Sequence, residues 1–175
     1  MGPAEVGNQA AVILIALGAN LSSSAGTPAD TLVSALRALD TRNITVERQS
    51  GFYRSAAWPN PTDPPFVNAV AAIKTGLSPE RLLARLHDVE AEFGRSRSER
   101  NAPRPLDLDL IDYDGLIQQG PPELPHPRML ERAFVLLPLR DVAPDWRHPV
   151  SGLTVGELIS RLSKSDIQPL SPPDN

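Results

Sequence analysis

The chain has 175 residues, a length typical of one domain with one hydrophobic core. Hydrophobic residues make up 41% and charged residues 22%, which excludes a charge-rich disordered chain. The absence of cysteine excludes disulfides, thiolate metal sites and a cysteine nucleophile, and the net charge of −4 argues against general nucleic-acid binding. No apolar run approaches the ~20 residues needed to cross a bilayer, so we expect a soluble protein without membrane partners, and the absence of cysteine favours a reducing, cytoplasmic compartment.

The apolar pattern predicts an alternation of strands and helices. Four segments have the continuous or alternating apolar pattern of strands: residues 11–17, 44–55, 66–74 and 106–113. A first helix begins at Thr27-Pro28, after the first strand, and a second runs from Ser78-Pro79 to Gly94. Two shorter helical segments follow the last strand, over residues 129–142 and 154–163.

This order predicts an α+β fold with a ferredoxin-like βαββαβ core. In that arrangement one antiparallel sheet carries its helices on one face, and the two extra C-terminal helices are added to it. We expect a single domain over residues 11–164. Residues 1–10 and 165–175 are polar or rich in proline, and we expect them to be flexible ends.

The last predicted strand alternates leucine with aspartate. Side chains at positions i and i+2 of a strand point the same way about 6.6 Å apart, so Asp107 and Asp109 share one face. Leu106, Leu108 and Leu110 share the other face. If the leucines pack against the helices, the aspartates lie on the opposite face, where a divalent cation would relieve the repulsion between their carboxylates. A site with only oxygen ligands favours Mg²⁺. A strand whose outer face is only exposed to solvent has the same pattern, so the two aspartates alone do not establish a metal site.

Four arginines lie on the loop before this strand: Arg95, Arg97, Arg100 and Arg104. Guanidinium groups bind phosphate in a bidentate manner, and arginines next to Mg²⁺-binding carboxylates indicate phosphoryl transfer. The chain has neither a P-loop nor a kinase-type Gly-rich loop, so a nucleotide would be bound without them. An exposed basic loop without a ligand is the alternative interpretation.

Two further groups are candidates for substrate binding. Phe66 and Asn68 project to the same face of a strand and offer a stacking ring beside an amide, which suits a flat heterocycle. Core packing explains Phe66 equally well, and Phe134 is explained by the core. His126 lies between two prolines, with Arg132 following, and is either a structural residue or a phosphate ligand.

The segment Arg100-Asn-Ala-Pro-Arg-Pro-Leu-Asp-Leu-Asp-Leu-Ile111 resembles the signature of the 6-hydroxymethyl-7,8-dihydropterin pyrophosphokinase family. The resemblance covers most of the chain in the same order, through Leu17-Gly-Ala-Asn-Leu21, Phe52-Tyr-Arg54, Phe66-Val-Asn68, Glu90, Phe93-Gly-Arg-Ser-Arg97, Leu124-Pro-His126 and Arg132-Ala-Phe134. It implies transfer of the β,γ-diphosphate of ATP to the hydroxymethyl group of the pterin, with release of AMP, in folate biosynthesis. We expect a monomer whose partners are these two small molecules, without nucleic acid.

The resemblance also implies a role for individual positions. Asp107 and Asp109 would bridge two Mg²⁺ ions, with Asp107 near the attacking hydroxyl group of the pterin. The residues implied at the nucleotide are Glu90, Arg95, Arg97, Arg104, His126 and Arg132, with Arg95 and Arg104 also implied in catalysis. The residues implied at the pterin are Phe66 and Phe134 on the ring faces, Asn68 at the polar edge, and Trp58. Segments 55–65 and 94–102 match loops that close over the substrates.

Two other functions stay open at this point. Another Mg²⁺-dependent enzyme, such as a different phosphoryl-transfer enzyme, a nuclease or a glycosyltransferase, would use the two aspartates but leave Phe66 and Asn68 unexplained. A ferredoxin-like RNA-binding module would use the arginine loop, but aromatic residues make up only 5% of the chain. Salt-dependent RNA binding without ATP turnover would favour this module, and Mg²⁺-dependent loss of ATP would favour an enzyme.

Overall fold

The computed structural model describes residues 11–56, 62, 64–94 and 105–162, and the backbone of residues 167–169. Within these residues the strands are β1 Ile13–Ala19, β2 Ile44–Gln49, β3 Tyr53–Ser55, β4 Phe66–Thr75, β5 Asp107–Tyr113 and β6 Ile167–Pro169. The α-helices are α1 Pro28–Asp40, α2 Pro79–Glu92, α3 Ala133–Val142 and α4 Val155–Ser160. A single turn of 3-10 helix at Met129–Glu131 precedes α3.

Helices α1 and α2 begin where the sequence predicts, because a side chain caps each of them. The hydroxyl groups of Thr27 and Ser78 accept hydrogen bonds from the backbone N–H groups of Asp30 and Arg81. A proline follows each cap, and its fixed φ angle suits the first helical position. Local sequence therefore determines both helix starts.

The strands form one antiparallel sheet in the order β5-β1-β4, and β2 and β3 pair with successive parts of the other edge of β4. The single strand predicted over residues 44–55 is two strands, β2 and β3, separated by residues 50–52. Within β2, the register against β4 shifts between Val46 and Arg48. Ser50 lies in the break: its N–H donates to the Val70 carbonyl, and its hydroxyl accepts from the Val70 N–H. These bonds keep β4 paired where the regular ladder stops.

Helices cover both faces of the sheet. The core helices α1 and α2 pack against one face, which includes Ile15 and Leu17 of β1 and the leucines of β5. The C-terminal helices α3 and α4 pack against the opposite face, around Leu14 and Ala16 of β1. Every position of β1 is buried, and a strand that is apolar on both faces needs cover on both. The α+β class is confirmed, and the C-terminal helices lie opposite the core helices.

The end of the described chain differs from the sequence prediction. Strand β6 lies within residues 165–175, which were predicted to be flexible, but its backbone pairs with β3 at the edge of the sheet. Proline is tolerated on an edge strand, so a proline-rich composition did not exclude pairing there. The predicted helix over residues 129–142 is interrupted at Arg132, whose backbone is extended. No helix of the described ranges is long and apolar enough to span a membrane.

Candidate active site

A cavity of about 530 Å³ opens on the α3 face of the sheet, over β5, β1 and β4. One row across these strands places Asp107 opposite Gly18, and Gly18 opposite Asn68. The next row places Asp109 opposite Ala16. The middle strand β1 thus contributes a residue without a side chain and one with only a methyl group, which leaves an open floor between the aspartates of β5 and the side chains of β4.

The wall on β5 carries the two aspartates. Asp107 and Asp109 are half-buried and both line the cavity, while Leu106, Leu108 and Leu110 lie in the core beneath α1 and α2. The predicted alternation of leucine and aspartate between the two faces is therefore confirmed. The described residues contain no cluster of three or more histidine, cysteine or acidic side chains that could hold a metal. A Mg²⁺ ion here would take its other ligands from water or phosphate oxygens, as Mg²⁺ ordinarily does.

The wall opposite the aspartates is aromatic. Phe66 and Asn68 of β4 and Phe134 of α3 line the same cavity. The guanidinium carbon of Arg132 lies 5.4 Å from the centroid of the Phe134 ring, a cation–π contact at the start of α3. Tyr53 of β3 ties α3 to the sheet, because its hydroxyl group donates to Asp141 at 2.7 Å. Phe66 and Phe134, which are 68 positions apart in the sequence, thus line one cavity that is large enough for a bicyclic ring.

A second cavity of about 440 Å³ adjoins the first at β5. Asp109 lines both cavities, whereas Asp107 lines only the first of the two. The other lining residues of the second cavity are Leu83, Leu110, Gly120, Pro121, Pro122, Glu123, His126 and Pro127. Molecules bound in the two cavities would therefore meet at Asp109.

His126 presents a neutral ring to the second cavity. Burial and the nearby Arg132 guanidinium lower the pKa of His126 to about 4, and Asp107 only partly opposes this effect. Its Nδ1 accepts a hydrogen bond from the backbone N–H of Arg128 at 3.2 Å. In the neutral ring the proton is then on Nε2, which can donate to an anionic oxygen.

The family follows from comparison with known proteins. The model of the family described as 7,8-dihydro-6-hydroxymethylpterin-pyrophosphokinase matches residues 14–144. The chain belongs to this family. It is 38% identical over 174 residues to the 2-amino-4-hydroxy-6-hydroxymethyldihydropteridine pyrophosphokinase of Synechocystis, covering 98% of this chain and 87% of that protein. The protein of the same description from Haemophilus influenzae is 38% identical over 160 residues, covering 90% of this chain and 97% of that protein.

Longer proteins also contain this domain. The folic acid synthesis protein fol1 of Pneumocystis carinii is 36% identical over 161 residues, but the chain covers only 21% of it. The crystal structure of wild-type Plasmodium falciparum HPPK-DHPS with SDX-DHP has a TM-score of 0.63 and 12% identity to the chain. The match covers 86% of this chain and 43% of that one. At this level of identity the structural likeness shows the fold alone, and the chain spans less than half of the solved protein.

Glu90, implied to lie at the nucleotide, is buried behind β5. Its side chain is 1% exposed, and Oε2 accepts a hydrogen bond from the backbone N–H of Leu108 at 3.2 Å. Leu108 lies between Asp107 and Asp109, so Glu90 contacts the strand segment that carries both aspartates. Glu90 is not among the residues that line the two cavities. Its implied role at the nucleotide therefore stays a prediction.

Several predicted site residues fall outside the described ranges. These are Trp58, Arg95, Arg97 and Arg104, together with Arg100. Most of the two segments predicted to close over the substrates also falls there. The roles implied for these residues stay predictions.

The sequence assigned no individual substrate role to seven other residues that line the first cavity: Ala16, Leu17, Gly18, Ser55, Ala56, Arg128 and Glu131. Gly18 belongs to segment 17–21, which resembles the family, and this resemblance could have indicated its place in the site. Ser55 begins segment 55–65, which resembles a loop that closes over the substrates, and the pairing of β3 with β4 places it opposite Phe66. Arg128 and Glu131 lie on the irregular segment before α3; the helix predicted over residues 129–142 included Glu131 but not Arg128.

The low pKa of His126 predicts a pH-dependent stability. An unfolded histidine titrates near pH 6.5, so between this value and about pH 4 the unfolded state binds a proton that the folded state does not. Stability is therefore expected to fall as the pH is lowered through this range. Urea unfolding at pH 7 and pH 5, without nucleotide or Mg²⁺, should show a larger loss for the native chain than for His126→Gln.

The native chain and the His126→Gln variant both contain His148, whose pKa is also lowered by burial. The effect of His148 on stability therefore cancels when the two are compared. Equal pH dependence of the native chain and His126→Gln would contradict the prediction.

Proposed function

We propose that the chain transfers diphosphate from ATP to the hydroxymethyl group of 6-hydroxymethyl-7,8-dihydropterin. The products are AMP and the pterin diphosphate, and the reaction is a step of folate biosynthesis. The observation that carries the proposal is that Asp109 lines both cavities, since a transferase must bring its two substrates together at one point. Membership of the pyrophosphokinase family supports the same reaction.

The first cavity suits the pterin. Phe66 and Phe134 enter it from different elements and can contact the ring faces, and the amide of Asn68 can read the polar edge. Asp107 of β5 and Asn68 of β4 lie on either side of Gly18 of β1, in the same row across the sheet. The hydroxymethyl group of a ring bound at Asn68 can therefore lie near the Asp107 carboxylate. Trp58, outside the described residues, is proposed to complete this site.

The second cavity suits the nucleotide. His126 can donate from Nε2 to a phosphate oxygen, and Arg132 lies close enough to lower the pKa of His126. We propose that Arg95, Arg97 and Arg104 also bind the triphosphate, as the family resemblance implies. The buried Glu90 supports the strand beside this site.

Asp107 and Asp109 are proposed to hold two Mg²⁺ ions. Two carboxylates on one strand face offer only hard oxygen ligands, and they leave positions for phosphate oxygens, which fits Mg²⁺ rather than a softer metal. When bound, Mg²⁺ neutralises the triphosphate charge and favours attack at phosphorus. In the absence of the metal, the two carboxylates repel both each other and the phosphates.

The protein groups then position the reaction. The pterin hydroxyl oxygen forms a bond to the β-phosphorus of ATP, and the bond from this phosphorus to the α,β-bridging oxygen breaks. AMP leaves with that oxygen, and Asp107 can accept the hydroxyl proton and pass it to solvent. The arginines and His126 stabilise the negative charge on the phosphates during transfer.

Further proposals concern the topology, the oligomeric state and the location of the chain. The order β5-β1-β4-β2, with α1 and α2 on one face, supports a ferredoxin-like βαββαβ core within a single domain over residues 11–164. We also propose a cytoplasmic monomer whose ligands are small molecules. Size-exclusion chromatography with light scattering would test the oligomeric state.

The test is to resolve the nucleotide products after incubation of the chain with ATP, Mg²⁺ and 6-hydroxymethyl-7,8-dihydropterin. We expect AMP and the pterin diphosphate in equal amounts, with AMP absent when the pterin or Mg²⁺ is omitted. ADP in place of AMP would contradict diphosphate transfer while leaving the metal site intact. Salt-dependent RNA binding without any turnover would instead favour the RNA-binding module.

A further inference from the structure

Tyr53 of β3 connects the sheet to α3 beside the first cavity. The pairing of β3 with β4 places Tyr53 directly opposite Asn68, so the two side chains are neighbours on the same face of the sheet. Asn68 lines the cavity, and its Nδ2 donates a hydrogen bond at 2.8 Å to the hydroxyl group of Ser55, the next residue of β3 on that face. Tyr53 is 8% exposed and is not among the residues that line the cavity. It therefore supports the cavity from behind and does not form its surface.

The partner of Tyr53 lies on the same side of α3 as Phe134. Phe134 and Asp141 are seven positions apart, which is close to two full helical turns, so they lie on one stripe of α3 about 10.5 Å apart along its axis. Phe134 lines the cavity, and Oδ2 of Asp141 accepts the hydrogen bond from the Tyr53 hydroxyl group at 2.7 Å. This bond holds the end of α3 that lies opposite the turn with Phe134.

The position of Asp141 is not explained by the helix itself. Asp141 lies in the last turn of α3, at the negative end of the helix dipole, where an acidic side chain is unfavourable. Burial and the hydrogen bond to Asp141 raise the pKa of Tyr53 to about 12, so its hydroxyl group keeps the proton that it donates throughout the neutral range. The contact with the sheet thus gives this acidic residue a role outside its own helix.

We propose that Tyr53 is a positioning residue that sets the gap between Phe134 and Phe66 through its hydrogen bond to Asp141. The inference rests on the proposed function, because this gap is the space assigned to the pterin. A flat ring that contacts an aromatic ring on each face needs about 7–8 Å between the two rings, which is twice a carbon–carbon contact distance. Without the bond, α3 can lean toward β4 or away from it, and the correct gap must be restored before the pterin binds.

The first experiment compares the two substrates. The dissociation constant of a non-hydrolysable ATP analogue with Mg²⁺, and then that of 6-hydroxymethylpterin in the presence of both, are measured by isothermal titration near neutral pH. Loss of one hydrogen bond lowers the population of correctly placed helix by about tenfold, so Tyr53→Phe should weaken pterin binding by about tenfold. None of the residues that line the second cavity lies on α3, so affinity for the ATP analogue should change by about twofold or less.

Three further variants separate positioning from stability. Asp141→Asn keeps an oxygen that accepts the hydrogen bond and is expected to retain near-native pterin affinity, whereas Asp141→Ala should reproduce the loss seen in Tyr53→Phe. Tyr113→Phe is the matched control. Tyr113 is the other tyrosine of the chain, its hydroxyl group donates to the Leu77 carbonyl, and its ring packs against the α1 and α2 side of the sheet. We expect Tyr113→Phe to lower the melting temperature without changing pterin affinity.

A double-mutant cycle tests whether Tyr53 acts through Phe134. Once the Phe134 ring is removed, its placement no longer matters. Tyr53→Phe should therefore weaken pterin binding by about tenfold in the native chain but by about twofold or less in a Phe134→Leu background. A purely structural contribution of Tyr53 would give the same factor in both backgrounds.

The outcomes distinguish this inference from the proposed function. Native pterin affinity in Tyr53→Phe, equal losses of affinity for the pterin and the ATP analogue, or the same factor in both backgrounds would each overturn the positioning role and leave the proposed function intact. Failure of the native chain to bind the pterin would instead contradict the proposed function.

Discussion

Replacement of Asp109 by asparagine is expected to lower the rate of AMP formation by about 10³-fold or more, because metal-assisted charge neutralisation contributes several kcal/mol. Asp109 lines both cavities, so it lies where the transferred group is proposed to pass. Asparagine keeps the shape and removes the charge. Its amide oxygen is a weaker Mg²⁺ ligand, and the loss should persist when the Mg²⁺ concentration is raised.

The same variant separates a metal-binding role from a structural one. The melting temperature of Asp109→Asn without Mg²⁺ measures the structural contribution of the carboxylate, apart from its effect on the metal. Mg²⁺ with a non-hydrolysable ATP analogue should raise the melting temperature of the native chain, and this increase should be largely absent from Asp109→Asn.

Asp114→Asn is the matched control for Asp109→Asn. Asp114 is an exposed aspartate on the turn after β5, with a φ angle of 52° that asparagine also tolerates. It lines neither of the two cavities. Native turnover is expected for this control. Retention of native turnover by Asp109→Asn would show that the metal site lies elsewhere.

Replacement of Gly18 by valine is expected to weaken pterin binding by about 100-fold or more, because an overpacked site costs a few kcal/mol. Gly18 lies in the floor between Asp107 and Asn68, and its backbone pairs with both neighbouring strands. A Cβ atom here would be 3.3 Å from Asn68 Oδ1 and 3.8 Å from Phe66. The two valine methyl groups would extend further into the space proposed for the ring.

The effect of Gly18→Val should be confined to one substrate. Valine favours the strand conformation, so β1 is expected to remain paired, and binding of an ATP analogue at the second cavity should change little. Isothermal titration with each ligand separately would show the difference. Gly76→Val is the matched control, because nothing lies within 4 Å of a Cβ atom at that glycine. Native pterin affinity in Gly18→Val would contradict the assignment of the first cavity to the ring.

Local patterns were sufficient for several features of the site. The alternation in β5 predicted that Asp107 and Asp109 share a face opposite the leucines, because side chains of a strand alternate whatever the strand pairs with. The starts of α1 and α2 followed from Thr27 and Ser78, since capping bonds span only three residues.

Other features depended on contacts between distant parts of the chain. The row of Asp107, Gly18 and Asn68 exists only through the pairing of β1 with two other strands. The bond from Asn68 to Ser55 requires the register of β3 against β4.

By itself, then, the sequence determined which side chains point to the same face of each element, because backbone geometry repeats over two to four residues. The tertiary structure alone decided which elements meet: that α3 closes the open face, that Glu90 is buried behind Leu108, and that His126 shares a cavity with Asp109. Strand register and helix docking depend on the packing of the whole core, and no short segment contains that information.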